Sequence, residues 1–119
     1  MRLIRVGFLL LLAGCLLAMG QQPMDEWEGL RISLRGARSI HPKKGFVPDE
    51  VTAVRIGEAT AVAQYGEKTI SAERPFRARL YGEIWIVQGT LHPQGADGGT
   101  AVVKINKADG RILFMTHQM

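Results

Sequence analysis

The sequence predicts an α+β domain in which one main helix packs on a curved antiparallel sheet of four to five strands. Three observations carry that expectation. Apolar residues over 50–65 recur with the period of a helix, later segments alternate with the period of a strand, and glycine-containing pairs stand between those segments. A signal segment and a linker precede the domain, so the chain divides into residues 1–14, 15–48 and 49–119.

The elements follow in order. Arg2 and Arg5 precede the apolar run Val6 to Leu12, the layout of a secretory signal. The apolar stretch to Ala18 is too short and glycine-broken for a spanning helix of about 20 residues. Leu12-Ala13-Gly14-Cys15 resembles the lipobox of bacterial lipoproteins. That resemblance implies cleavage before Cys15, a diacylglycerol on its thiol and acylation of the new amine. Such chains anchor by about 0.8 kcal/mol per buried methylene. Ordinary cleavage after Gly20 is the alternative. The expected location is the periplasm, on a membrane, and Leu16 in place of an aspartate favours the outer one by analogy with enteric sorting.

Residues 16–48 read as a spacer through Gln21-Gln22-Pro23, Gly36 and His41-Pro42-Lys43-Lys44-Gly45. Within it Leu30, Ile32 and Leu34 alternate with Arg31, Ser33 and Arg35, which allows a short amphipathic strand; alternatively the basic stretch rests on anionic headgroups.

Asp49 is the expected N-cap of the main helix, with Glu50 in its first turn. Val51, Val54, Ala61, Val62 and Tyr65 form its apolar stripe, flanked by Ala59 and Ala63, and Glu58 falls within that stripe. Gly66 ends the helix as a left-handed cap. Expected strands are Thr69 to Ala72, Phe76 to Tyr81, a central Ile84 to Val87 apolar on both faces, Val103 to Asn106, and Ile112 to Met115. Gly82-Glu83 and Ala108-Asp109-Gly110 close hairpins, with positive φ at Gly110. Residues 92–99 form a longer loop. At about 70 residues only roughly 60% of the unfolded surface is buried, so the helix must cover one sheet face. The other, with Arg77, Arg79, Tyr81, Lys104 and Asn106, stays open.

Charge sorts along the chain. Its 119 residues carry a net charge of +4, and the pI is 9.6. Two of those charges lie in the signal and two in the linker, leaving residues 49–119 with eight basic and eight acidic side chains. A nucleic-acid partner is therefore not expected. A single cysteine excludes an internal disulfide and thiolate-rich zinc sites. His41, His92 and His117 show no metal-ligand spacing, and Ser71 lacks a nucleophile elbow, so neither metal, cofactor nor catalytic activity is expected. Glu58, Tyr65 and Trp85 are the candidate lining of a pocket between helix and sheet; Tyr65, Trp85 and Phe76 fit core packing equally.

A series of motifs resembles one family. It runs through Ala53-Val54-Arg55-Ile56-Gly57-Glu58-Ala59, Tyr65-Gly66-Glu67-Lys68 and Pro75-Phe76. It continues with Trp85-Ile86-Val87-Gln88-Gly89-Thr90-Leu91, Gly98-Gly99, Lys107-Ala108-Asp109-Gly110-Arg111-Ile112-Leu113 and His117. This order is similar to that of bacterial immunity proteins of the nuclear-transport-factor-2 fold, found in polymorphic toxin systems. The resemblance implies a cone-like, nuclear-transport-factor-2/cystatin-like domain that binds and neutralises a cognate protein toxin without catalysis. On an exported lipoprotein, it also implies that the toxin is met in the envelope. The Val103-x-Ile105 and Gly110-x-Ile112-Leu113 pattern also resembles PepSY-type envelope domains, which restrain proteases. A small-ligand-binding member of the cone fold is a third reading.

Overall fold

The computed structural model describes residues 25–93 and 98–118, and the chain divides in sequence into two compact units between Ser39 and Ile40. The signal, the lipobox and Cys15, and residues 94–97 of the 92–99 loop, lie outside the described residues.

In the first unit, helix α1 (Glu26–Ser33) stands where alternation allowed a short strand within the spacer. Its signals are local. The Asp25 carboxylate accepts from the Trp27 N–H at 3.2 Å, Glu26 and Glu28 occupy the first turn, and Arg31 occupies the last. Arg31 Nε donates to Glu28 Oε2 at 2.8 Å and holds the Glu28 carboxyl below its ordinary value. Three alternating apolar residues cannot outweigh these caps without a neighbouring strand to pair with. No residue of α1 is buried.

The second unit begins before residue 49. Phe46 and Val47 donate their N–H groups to the carbonyls of Ala108 and Lys107, each at 3.0 Å, and Val47 is fully buried. Residues 46–48, assigned from sequence to the linker, thus pack on the domain. Helix α2 (Glu50–Tyr65) starts as expected, Asp49 Oδ1 accepting from Thr52 N at 2.8 Å. Its buried residues are Ala53, Gly57 and Ala61, one turn apart. The predicted stripe was centred on larger side chains. Val54, Val62 and Tyr65 are half-buried at its flanks, whereas Val51, Ala59 and Ala63 are exposed. Close approach explains the difference: a Cβ at Gly57 would lie 2.7 Å from Val87 Cγ1, so only the smallest residues fit where helix meets sheet.

Gly66 ends α2 at φ +87 and ψ 152. Its φ is positive, but this is not the left-handed helical cap expected, because the same residue also opens helix α3 (Glu67–Ser71). Helix α3 replaces the strand predicted at 69–72. β-branched Thr69 and Ile70 looked strand-like, yet Ile70 is fully buried in the core as a helical anchor.

Strands β1 (Arg77–Tyr81), β2 (Ile84–Gln88), β3 (Ala101–Asn106) and β4 (Ile112–His117) form one antiparallel sheet in sequence order, four strands where four to five were expected. The last strand runs two residues beyond Met115. Gly110 takes the expected positive φ, +77, in the β3–β4 hairpin, and a bulge interrupts the register beside Ile105. Rows Ala78–Val87–Val103–Met115 and Leu80–Trp85–Ile105–Ile112 face α2. Helix α2 lies against β1, β2 and β3, and the fully buried side chains Ile70, Ile105, Val47, Val87 and Val103 fill the space between.

Candidate functional site

Strand alternation gives the sheet a second face, which no helix of this unit covers. The rows there are Arg77–Gln88–Val102–Thr116, Arg79–Ile86–Lys104–Phe114 and Tyr81–Ile84–Asn106. The central strand is apolar on both faces, as expected, but its two faces are not equally covered. Only Trp85 and Val87 are buried, while Ile84 is exposed and Ile86 half-buried on the open side. Tyr81 is 55% and Phe114 49% exposed, and Lys104 Nζ stands 5.3 Å from the Phe114 ring centroid. A shallow concavity of about 510 Å³ lies over β1 and β2, lined by Arg77, Arg79, Tyr81, Ile86 and Gln88, with Glu50 at its rim. Glu50 Oε1 accepts from the Ala78 N–H at 3.4 Å and lies 3.6 Å from Arg77 Nε. The three rows contain three cations and no carboxylate.

On the helix side, one cation gathers two carboxylates. Arg74 bonds Glu58 through Nε and Glu67 through Nη1 at 2.6 Å and Nη2 at 3.3 Å. Glu67 and then Glu58 raise the guanidinium's already high pKa, and Arg74 holds the Glu67 carboxyl below its ordinary value. Glu58 is thus a groove-edge residue in an exposed ion-pair network, a modest contributor to stability.

The three residues predicted to share a pocket have separate roles. Glu58 borders a concavity with Arg55 and Arg74, and Tyr65 borders another with Ile112 and Met115. Trp85 belongs to the core, its Nε1–H donating to the Val47 carbonyl at 2.8 Å.

Sequence reasoning passed over Glu73. This buried carboxylate accepts from the Ala101 N–H at 2.7 Å through Oε1, and its Oε2 lies 3.3 Å from His117 Nε2. The His117 ring meets Tyr65 edge-on, with centroids 5.3 Å apart. Thr90 N–H donates to the Glu73 carbonyl at 2.7 Å, and a Cβ at Gly89 would lie 2.9 Å from Glu73 Cβ. Gly89 and Thr90 thus meet the main chain and Cβ of Glu73, and His117, backed by Tyr65, meets its carboxylate, which ties the α3–β1 connection to β3 and β4. That convergence was the available signal. His92 Nε2 bonds the Arg74 carbonyl at 2.9 Å, and His41 is exposed. Among the described residues no three His, Cys, Asp or Glu side chains are placed to hold a metal ion, and no helix is long and apolar enough to cross a membrane.

Comparison with known proteins completes this picture. The chain is 30% identical over 74 residues to the uncharacterized protein YhhH of Escherichia coli (strain K12), covering 62% of this chain and 58% of that protein. It is also 30% identical over 74 residues to the uncharacterized protein YbbC of the same strain, covering 62% of this chain and 61% of that protein. The match thus spans less than two thirds of each relative's length. No solved structure matches the chain significantly. The family model described as NTF2 fold immunity protein matches residues 52–119, from the first turn of α2 through β4. With its main helix on a four-stranded antiparallel sheet, the chain belongs to the NTF2 fold immunity protein family.

Proposed function

We propose that this chain is an envelope immunity protein whose domain binds one cognate protein toxin and neutralises it, with no catalytic turnover of its own. The observation that carries this reading is the family match across residues 52–119. The sheet face that no helix of its unit covers supports it, since it presents exposed Tyr81 and Phe114 from paired strands. Export by the N-terminal signal and lipidation at Cys15 place the domain in the periplasm on a membrane, favouring the outer one, with residues before the domain acting as a tether. The toxin is then one that acts in, or passes through, the envelope.

Affinity capture of the full chain from envelope extract, with identification by mass spectrometry, tests the reading. It predicts a toxin polypeptide encoded beside this gene, and growth protection when the two are co-expressed. Recovery of no specific protein, together with a metabolite that raises the melting temperature, would overturn it. Cys15→Ser is expected to release the chain from membranes; unchanged membrane association would remove the lipid anchor from the proposal.

A further inference from the structure

We propose that the open face of the sheet, centred on the row Arg79–Ile86–Lys104–Phe114, is the surface that receives the toxin, and that it receives an acidic patch of it. This rests on the immunity reading above and specifies the surface and the partner's chemistry.

The distribution of charge selects the occupant. The domain is formally neutral, yet the three rows of the open face carry cations and no carboxylate. Glu58 and Glu67 engage Arg74, and Glu73 engages the Ala101 N–H, all away from the open face. The open rows hold Arg77, Arg79 and Lys104 and no acidic side chain of their own; Glu50 at the rim lies 3.6 Å from Arg77, which leaves Arg79 and Lys104 as the cations with no carboxylate in their row. A second copy of this chain seated face to face would set these cations against their own equivalents, because a two-fold interface pairs a patch with itself. An acidic protein surface has the complementary sign, which steers encounter and suppresses wrong partners.

Apolar placement points to a protein in particular. Ile86 stands between Arg79 and Lys104, Ile84 and Val102 lie in the adjoining rows, and Phe114 beside Lys104 is a large side chain with a ring–ammonium contact. Aromatic and arginine anchors around an aliphatic centre are the usual make-up of a protein-binding hot spot. Three cations on a domain of zero formal charge are few for tracking a phosphate backbone, which depends on many such contacts.

The test uses the full chain and the toxin polypeptide encoded beside its gene. The variant Arg79→Glu/Lys104→Glu is expected to weaken binding by about tenfold or more and to abolish growth protection. Arg79→Gln/Lys104→Gln, which removes charge without adding carboxylates, should fall between it and wild type. Arg55→Glu, on the exposed side of α2, should bind within about twofold of wild type, because a cation outside the contact adds only screened, long-range attraction. Unchanged urea midpoints in all three would keep loss of fold out of the result. Full binding and protection by the charge-reversed variant would overturn the assignment and leave the immunity reading intact. Absence of both in wild type would overturn the immunity reading as well. Three other results would assign the face to a different occupant and overturn the inference: wild-type dimers lost in the reversed variant, or binding to phosphatidylglycerol vesicles or to single-stranded oligonucleotide lost in that variant.

Discussion

The two faces of the sheet are cut from the same four strands, with side chains alternating between them, but different properties decide each. Toward α2, size decides. Ala53, Gly57 and Ala61 let the helix backbone approach Val87, and Val87, Val103 and Ile105 are excluded from water entirely. On the open face similar aliphatic residues, Ile84, Ile86 and Val102, remain exposed or half-buried among cations. Residue type alone therefore does not separate stability from recognition; the presence of a helix over one face does. Substitutions on the covered face should register in unfolding experiments, and those on the open face in binding.

The largest expected effect is at Ile105, the bulkiest fully buried residue of β3. Ile105→Ala should lower unfolding free energy by about 2–5 kcal/mol, since the cavity sits under α2 and cannot collapse freely. Urea denaturation measures it, and a loss near zero would break the claim that this face holds the core. Gly57→Ala comes next. The added methyl would meet Val87 Cγ1 at 2.7 Å, so the helix must lift or Val87 must move, at about 1–3 kcal/mol. An Ala variant as stable as wild type would show that size does not govern the covered face.

How much of this was legible beforehand depends on the range of the interaction involved. Helix α2, its Asp49 cap and the open-face residues Arg77, Arg79, Tyr81, Lys104 and Asn106 follow from local signals and from period-two alternation. The buried stripe was misplaced because hydrophobic weight favours valines, whereas the helix–sheet contact demanded the smallest residues. A strand was allowed at α1 and expected at α3 because short apolar runs fit either period; the Asp25 cap favours the helix at α1, and burial of Ile70 in the core accompanies the helix at α3. Glu73 had no local signature at all. Its partners lie 28 and 44 residues away, and only the folded sheet brings Ala101 and His117 to it. Glu58, Tyr65 and Trp85 shared a plausible pocket on paper because helix and central strand do face each other. Each is instead engaged by a different neighbour: Arg74, His117 and the Val47 carbonyl.

Acid titration offers a smaller contrast. The folded state lowers the carboxyl of Glu67, through Arg74, and that of Asp49, through the hydroxyl and then the N–H of Thr52. A depressed folded value means stability that is present above the ordinary pKa, 4.5 for Glu67, and is lost as pH falls through the folded value. Arg74→Gln should therefore be less stable than wild type at neutral pH, with the gap closing at pH values below 4.5. Arg79→Gln, on the open face, should leave the acid limb unchanged. Urea midpoints across the acid range would record both, and a closing gap for Arg79→Gln would erase the electrostatic difference between the faces.

The smallest expected change in stability is the most informative about recognition. Phe114 lies in the same four-strand row as Ile86 and Lys104, one position along β3's register from the row that contains Val103. Its ring is half-exposed, and its described side-chain partner is the Lys104 ammonium. An exposed ring–ammonium contact contributes about 0.5–1 kcal/mol, and little core contact is lost with it. Phe114→Ala should therefore change unfolding free energy by less than about 1 kcal/mol while weakening toxin binding by about tenfold or more. The ring supplies apolar area to the interface and fixes the position of a cation within it. Equal losses in folding for Phe114→Ala and Ile105→Ala would mean that the open face is part of the core. Equal binding by Phe114→Ala and wild type would mean that the toxin meets another surface. Only a small loss in the first measurement with a large one in the second assigns stability to one face of the sheet and recognition to the other.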